Sequence, residues 1–245
     1  MKFTQNYIVR WHDTNANREI TPSAILTYMQ ETTNKHIQTM YPNLEYIRDV
    51  LHQAFILSKV YMRLYEPAHA YDDITVETWT GIESRGFTFY RSFAVKKDGR
   101  IIADALTTWC LIDTVEHKLL PVNKFENNFV DIESLKVDMP RKIKFPAEGL
   151  IVVGNRKIVY SDIDYNKHMN NTHYPNMLID FLPSPEKFRV KELMLSFIRG
   201  AIYNDELTIH RATDNDTFYF KTLNANGDIC LEAYMKTEAQ EFDIQ

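Results

Sequence analysis

Residues 161–180 read SDIDYNKHMNNTHYPNMLID, the run of the chain densest in ionisable and hydrogen-bonding side chains. Arg156 to Tyr160 (RKIVY), just before it, is apolar and β-branched, and after it Tyr174, Met177, Leu178, Phe181 and Leu182 recur at helical spacing. The run therefore carries a strand into a helix. Asn171 or Thr172 is placed to cap that helix, and Pro175 fits only in its first turn. Asp164, Asn166 and His168 then stand two residues apart in extended or turning backbone, which points them to roughly one side. A carboxylate, an amide and an imidazole beside a helix N-terminus supply a base, an orienting group and a proton carrier, with backbone N–H groups near for a developing oxyanion. Asn170 and Asn171, at the helix start, are placed for capping or for substrate contact.

Two plainer uses compete. Asp162, Asp164 and Asn166 match the first, third and fifth positions of a calcium loop, but Lys167 stands where that loop requires Gly and His173 where it requires Glu, so the pattern argues against a metal. A polar turn that caps a helix through Asx chemistry is the other use.

Composition narrows the classes. A chain of 245 residues, 44% hydrophobic and 13% aromatic, is long enough for one large globular domain or two small ones. No apolar run reaches the length of a membrane span, and no signal-peptide core follows Met1, so a cytoplasmic protein is expected. Cys110 and Cys230 are the only cysteines, each within strand-like sequence, and suggest neither a disulfide framework nor a thiolate metal site. A net charge of -5 argues against a nucleic-acid partner, and with seven glycines there is no phosphate-binding loop.

The rest of the chain repeats itself. Phe3 to Trp11 reads as a strand, His12 to Glu19 as a polar turn, and Thr21 caps a helix with Pro22 in its first turn that runs to about Thr39. Four strand-like runs follow, Phe55 to Tyr65, Asp73 to Thr80, Phe87 to Val95 and Ile101 to Asp113, expected as an antiparallel meander with a hairpin at Lys97-Asp98-Gly99. NYIVRWHDTNANREITPSAILTYMQE then resembles RKIVYSDIDYNKHMNNTHYPNMLIDF roughly 150 residues later, and FYRSFAVKKDGRIIADAL resembles FYFKTLNANGDICLEAY. Two copies of one unit are expected: residues 1–125, a connecting segment 126–148 crossing the surface, and residues 149–245. Each copy has a helix that needs cover and a curved antiparallel sheet to wrap it, so the two should sit side by side as a pseudo-dimer.

With the repeat and the Asp-x-Asn-x-His run in view, the chain resembles the acyl-acyl carrier protein (acyl-ACP) thioesterase family. The resemblance rests on SDIDYNKHMNNTHY, on RWHDTNANREITPSAILTYMQET and on TTWCLIDTVEHKLLPV. It implies an α+β fold of two tandem hot-dog domains, each a curved antiparallel sheet wrapped around a long helix. It also implies hydrolysis of the thioester joining a fatty acyl chain to the phosphopantetheine arm of acyl carrier protein, with Asp164, Asn166 and His168 on the catalytic positions. Plant members carry Glu then Cys after the strand matching Leu193 to Arg199, where this chain has Gly200 and Ala201, so cysteine catalysis is not available and Asp205 or Glu206 are weak substitutes for the acid.

A thiolate of pKa about 8 to 9 leaves easily, so modest machinery suffices and neither metal nor cofactor is called for. Asp164 either attacks directly or acts as a base on water, His168 carries the proton, and Asn166 orients one of them or bonds the carbonyl oxygen. The matching first loop (Asp13, Asn15, Asn17, Glu19) lacks the histidine, so the first copy is expected to house the acyl chain, with Ile25, Met29, Tyr61, Phe89 and Trp109 as candidate walls. An acidic carrier protein would meet Arg141, Lys142, Lys144, Arg156 and Lys157. A second copy of the chain is a further candidate partner. Hydrolysis of acyl-CoA, or acyl binding without catalysis, are the alternative functions.

Overall fold

The computed structural model describes residues 2–125 and 131–241, so the first part of the expected connecting segment, residues 126–130, lies outside the described residues. In the first copy, β1 (Phe3–Ile8) buries every second side chain more deeply than its neighbours, the signature of an edge strand with one wet face. Next come α1 (Pro22–Gln38), α2 (Leu44–Asp49), β2 (Gln53–Leu64), β3 (Asp73–Thr80), β4 (Phe89–Lys97), β5 (Arg100–Asp113) and β6 (Lys118–Leu120). The second copy has β7 (Ile151–Lys157), α3 (Tyr174–Ile179), β8 (Phe188–Phe197), β9 (Glu206–Asp214), β10 (Thr217–Leu223) and β11 (Ile229–Ala239).

All these strands form one antiparallel sheet in the order β1-β3-β4-β5-β2-β8-β11-β10-β9-β7, with β6 paired to β5. The copies join at its centre, where β2 and β8 run antiparallel with Tyr61 opposite Met194. Those strands are equivalent in the repeat, so the seam relates one copy to the other by an approximate twofold. The expected meander is corrected in one respect: β2 pairs β5 and not β3. Its residues are apolar on both faces, Val60 and Met62 toward α1 and Tyr61 away from it, which suits a central strand and would leave an edge strand sticky.

The Thr21 side chain caps α1 by accepting from the Ala24 N–H at 3.1 Å, and Pro22 occupies the first turn. The helix packs Ile25, Leu26 and Met29 onto the sheet, each large apolar side chain contributing roughly 1.5–3 kcal/mol by leaving water. A long helix holds only for this copy. α3 has six residues, because Pro183 and Pro185 follow at once and neither they nor the residues before them can continue a helix.

Residues 131–148 form a strap over the sheet face opposite the helices. Trp79 donates its indole N–H to the Glu133 carbonyl, the Leu135 N–H reaches Ser92 Oγ, and Ile143 is buried with Tyr61 and Met194. Among the described residues no helix is long and apolar enough to cross a membrane.

Candidate active site

The two loops that follow β1 and β7 share the same pattern of backbone hydrogen bonds. Each opens with a one-turn 3-10 helix, Trp11–Asp13 and Tyr160–Asp162, whose last residue is a buried aspartate. Asp13 is gripped by Arg10 (Nε 2.8 Å, Nη2 2.9 Å) and by the Tyr28 hydroxyl at 2.5 Å. Burial pushes its carboxyl up, but the bonds from Arg10 and Tyr28 outweigh that and hold it below the usual carboxylate range. Asp162 takes both of its oxygens to Arg156 Nη2, at 2.9 and 3.0 Å, and accepts the Val159 N–H.

Beyond the aspartates the chain makes the same closed turn twice. Asp164 N–H donates to the His168 carbonyl at 2.9 Å, as Asn15 N–H does to Glu19 at 2.8 Å, and the Asn166 N–H reaches Asp164 Oδ1 as the Asn17 N–H reaches Asn15 Oδ1. Lys167 and Arg18 take the same left-handed conformation, φ 66° and 63°. Asp164, Asn166 and His168 therefore correspond one to one with Asn15, Asn17 and Glu19. At these three positions the first loop has two amides and a carboxylate; only the second has an imidazole there.

The second turn is docked on the segment after β8. Met169 N–H donates to the Ala201 carbonyl at 2.8 Å, and His168 bridges Ile202 in antiparallel fashion. The His168 ring lies over Gly200, where any Cβ would fall 2.4 Å from ring Cδ2, so this glycine is the floor under the imidazole. Asp205 accepts the Ile202 N–H at 2.9 Å through Oδ2 and closes that turn. Asn170 is a cap, its Oδ1 accepting from the Thr172 N–H and hydroxyl at 3.0 Å each; Asn171 follows in the same 3-10 turn. Asp164 is half-buried, Asn166 and His168 are exposed, and no hydrogen bond joins their side chains.

A cavity of about 440 Å³ lies away from this turn. It lies at the matching first loop, between Asn15, Asn17 and Glu19 on one side and α3 and the start of β8 on the other. Of the expected acyl walls only Ile25 lines it. The five do not share one wall: Met29 is fully buried in the main core, Trp109 packs against that core, Phe89 belongs to a separate cluster with Ile37, Ile47, Phe55 and Phe125, and Tyr61 points to the strap side of the sheet. Strand alternation explains the last, since Tyr61 lies between the inward Val60 and Met62.

The expected basic patch also divides. Arg141, Lys142 and Lys144 are exposed on the strap around buried Ile143, and Lys59 Nζ holds the Arg141 carbonyl. Arg156 is drawn to Asp162 on the inner side, opposite Leu207 in register, leaving Lys157 exposed beside it. Both thiols are pushed up by burial, so neither is a thiolate. Sequence reasoning missed the Arg156–Asp162 latch and the Gly200 floor; the paired aspartates Asp13 and Asp162, at the same place in both copies, were the available signal for the first.

A sheet shared by two helix-bearing copies, each with a loop delivered to the seam, defines a tandem hot-dog protein. The model of the acyl-ACP thioesterase N-terminal domain matches residues 1–131 and that of the C-terminal domain residues 153–238, and the chain belongs to the acyl-ACP thioesterase family. It is 22% identical over 209 residues to the chloroplastic acyl-[acyl-carrier-protein] hydrolase FATB2 of Cuphea viscosissima, a match covering 78% of this chain and 49% of the plant protein. The chain thus spans about half the length of the plant relatives of this kind that it matches. In fold it is similar to the acyl-ACP thioesterase from Bacteroides thetaiotaomicron (TM-score 0.86, 19% identity, 96% of this chain and 97% of that one). It is likewise similar to the 12:0-ACP thioesterase from Umbellularia californica (TM-score 0.82, 16% identity, 98% of each).

Proposed function

We propose that the chain hydrolyses the thioester between a fatty acyl group and the phosphopantetheine arm of acyl carrier protein, at the turn bearing Asp164, Asn166 and His168. Family membership supports the reaction. The observation that carries the site is the one-to-one match of the loops: on the same backbone, Asp164 and His168 replace Asn15 and Glu19, so at these matched positions a carboxylate and an imidazole occur together only in the second loop. In the reaction water loses a proton to Asp164 or His168 as its oxygen adds to the thioester carbonyl, the C–S bond breaks, and the thiolate leaves as thiol with that proton. Backbone N–H groups of the turn, or the Asn166 amide, would face the oxyanion.

The acyl chain enters the first copy beside Phe55. That residue corresponds across the β2–β8 seam to Phe188, which lines the open cavity of the other side. Where the second copy leaves space, the first is filled by α2, whose Ile47 is 2% exposed and packs with Ile37, Phe55 and Phe89. Seating a chain therefore displaces α2. Carrier protein docks through the exposed lysines near the turn, Lys157 and Lys167, and through Arg141, Lys142 and Lys144 on the strap.

The test is thiol release from acyl carrier protein thioesters of increasing chain length, with CoA thioesters in parallel. Asp164→Asn and His168→Ala should each abolish most of the rate; wild-type rates retained by both variants sink this site. Acyl binding without catalysis is the second reading, favoured by Gly200 where the family's plant members carry Glu. It requires that no acyl thioester releases thiol.

A further inference from the structure

We propose that the 440 Å³ cavity at the first loop is a second, non-hydrolytic binding site for an aliphatic chain with an uncharged, amide-bearing head. Its volume falls in the range of roughly 300–1,000 Å³ usual for small-molecule sites. Its inner wall is apolar, made by Ile25 of α1, Leu64 of β2, Ile179 of α3 and Val190 of β8. The mouth is polar and carries Asn15, Asn17 and Asn176. Among the described residues the side-chain N–H groups of Asn15 and Asn176 donate to no protein acceptor, so they are free for carbonyl oxygens of a ligand.

Charge selects the head. Glu66, Asp180 and Glu186 line the cavity beside His12, Arg189 and Lys191; Arg189 and Lys191 are both engaged, and Glu66 is met by Arg100 at 3.7 Å. Arg189 forks onto Glu19 across the boundary between copies, with Nε at 2.9 Å from Oε2, and also pairs with Glu238; Lys191 pairs with Glu238 at 3.4 Å. A carboxylate entering this mouth meets Asp180 and Glu186, which have no ion-pair partner among the described residues, whereas an amide or thioether carries no charge for them to repel. The same Arg189 explains why bound ligand is not attacked. It neutralises Glu19, the residue standing where His168 stands in the other loop, and Asn15 stands where Asp164 does.

This inference does not rest on the hydrolytic reading, because its readout is binding without turnover. S-decyl pantetheine, which has a neutral head and no thioester, is titrated calorimetrically into the full chain and into Ala16→Trp and Ile25→Trp, with decanoate at pH 8 as the anionic control. Ala16 is exposed at the mouth and Ile25 is in the wall, so if the buried change unfolds the chain the exposed one still decides. One binding equivalent should be lost in the variants relative to wild type, with melting of Ala16→Trp unchanged, and decanoate should bind more weakly than the thioether. Unchanged stoichiometry in Ala16→Trp overturns the site. Decanoate binding as tight as the thioether overturns the neutral head.

Discussion

The imidazole of His168 rests on the α-carbon of Gly200, with no room for a methyl group between them: a Cβ at residue 200 would lie 2.4 Å from ring Cδ2 and 2.9 Å from Cγ. The exposed ring thus has one defined wall, and its position depends on the absence of a side chain. Gly200→Ala should push the ring aside and lower thioester hydrolysis by on the order of 100-fold, the scale of a 1 Å misplacement, while Tm stays close to wild type. Unchanged kcat in a folded Gly200→Ala protein would count against His168 as the proton carrier.

The paired latches give a built-in control. Asp162→Ala and Asp13→Ala each orphan an arginine and a backbone N–H, and each should cost about 1–3 kcal/mol in denaturant titrations. Only Asp162→Ala should also depress kcat, since only its loop carries Asp164 and His168. Equal loss of rate in both would show that the effect is global.

Trimming the plug under α2 should change chain-length preference. Ile47→Ala removes a buried side chain that packs with Phe55, at a stability cost of roughly 2–5 kcal/mol. Ile47→Val costs about 0.5–1.5 kcal/mol. Both should shift the optimum toward longer acyl groups in a panel of carrier-protein thioesters. Phe188→Ala, on the other side of the seam, should leave that optimum in place.

Acid should weaken the fold through His36. Burial, and next the Arg91 guanidinium whose Nη1 lies 3.1 Å from Nδ1, lower its pKa from 6.5 to about 4. Between those values the unfolded chain binds a proton that the folded chain refuses, so stability falls as pH drops from 6.5 to 4 and is unaffected above. The loss approaches roughly 3 kcal/mol at the lower end. Urea titrations across this range should show the slope in wild type and its absence in His36→Gln.

Much of the architecture was written in the local sequence. Thr21-Pro22 announced α1, the repeated loops announced two copies, and the Pro-bearing stretch before β7 announced a surface crossing. The turn of Asp164, Asn166 and His168 was legible because short-range Asx bonds build it. What could not be read depends on contacts distant in sequence. Strand alternation alone does not say which face of β2 meets the helix, so Tyr61 reads as a candidate wall although it lies on the strap side with Ile143. Nothing near Arg156 shows that it folds back onto Asp162 rather than joining Arg141 and Lys142. The early end of α3 was visible in Pro183 and Pro185, but Phe181 and Leu182 prolonged the helical period and masked it. α2 was signalled only by Asn43, whose side chain caps it.

The β2–β8 ladder ties the fates of the two halves. Severed within the strap, each fragment would present its innermost strand as a raw, oily edge, Val60 and Met62 on one piece and Leu193 and Leu195 on the other. Neither piece could be exchanged or lost on its own, so the copy that bears His168 and the copy that bears Glu19 in its place are bound to be inherited and to persist as one unit.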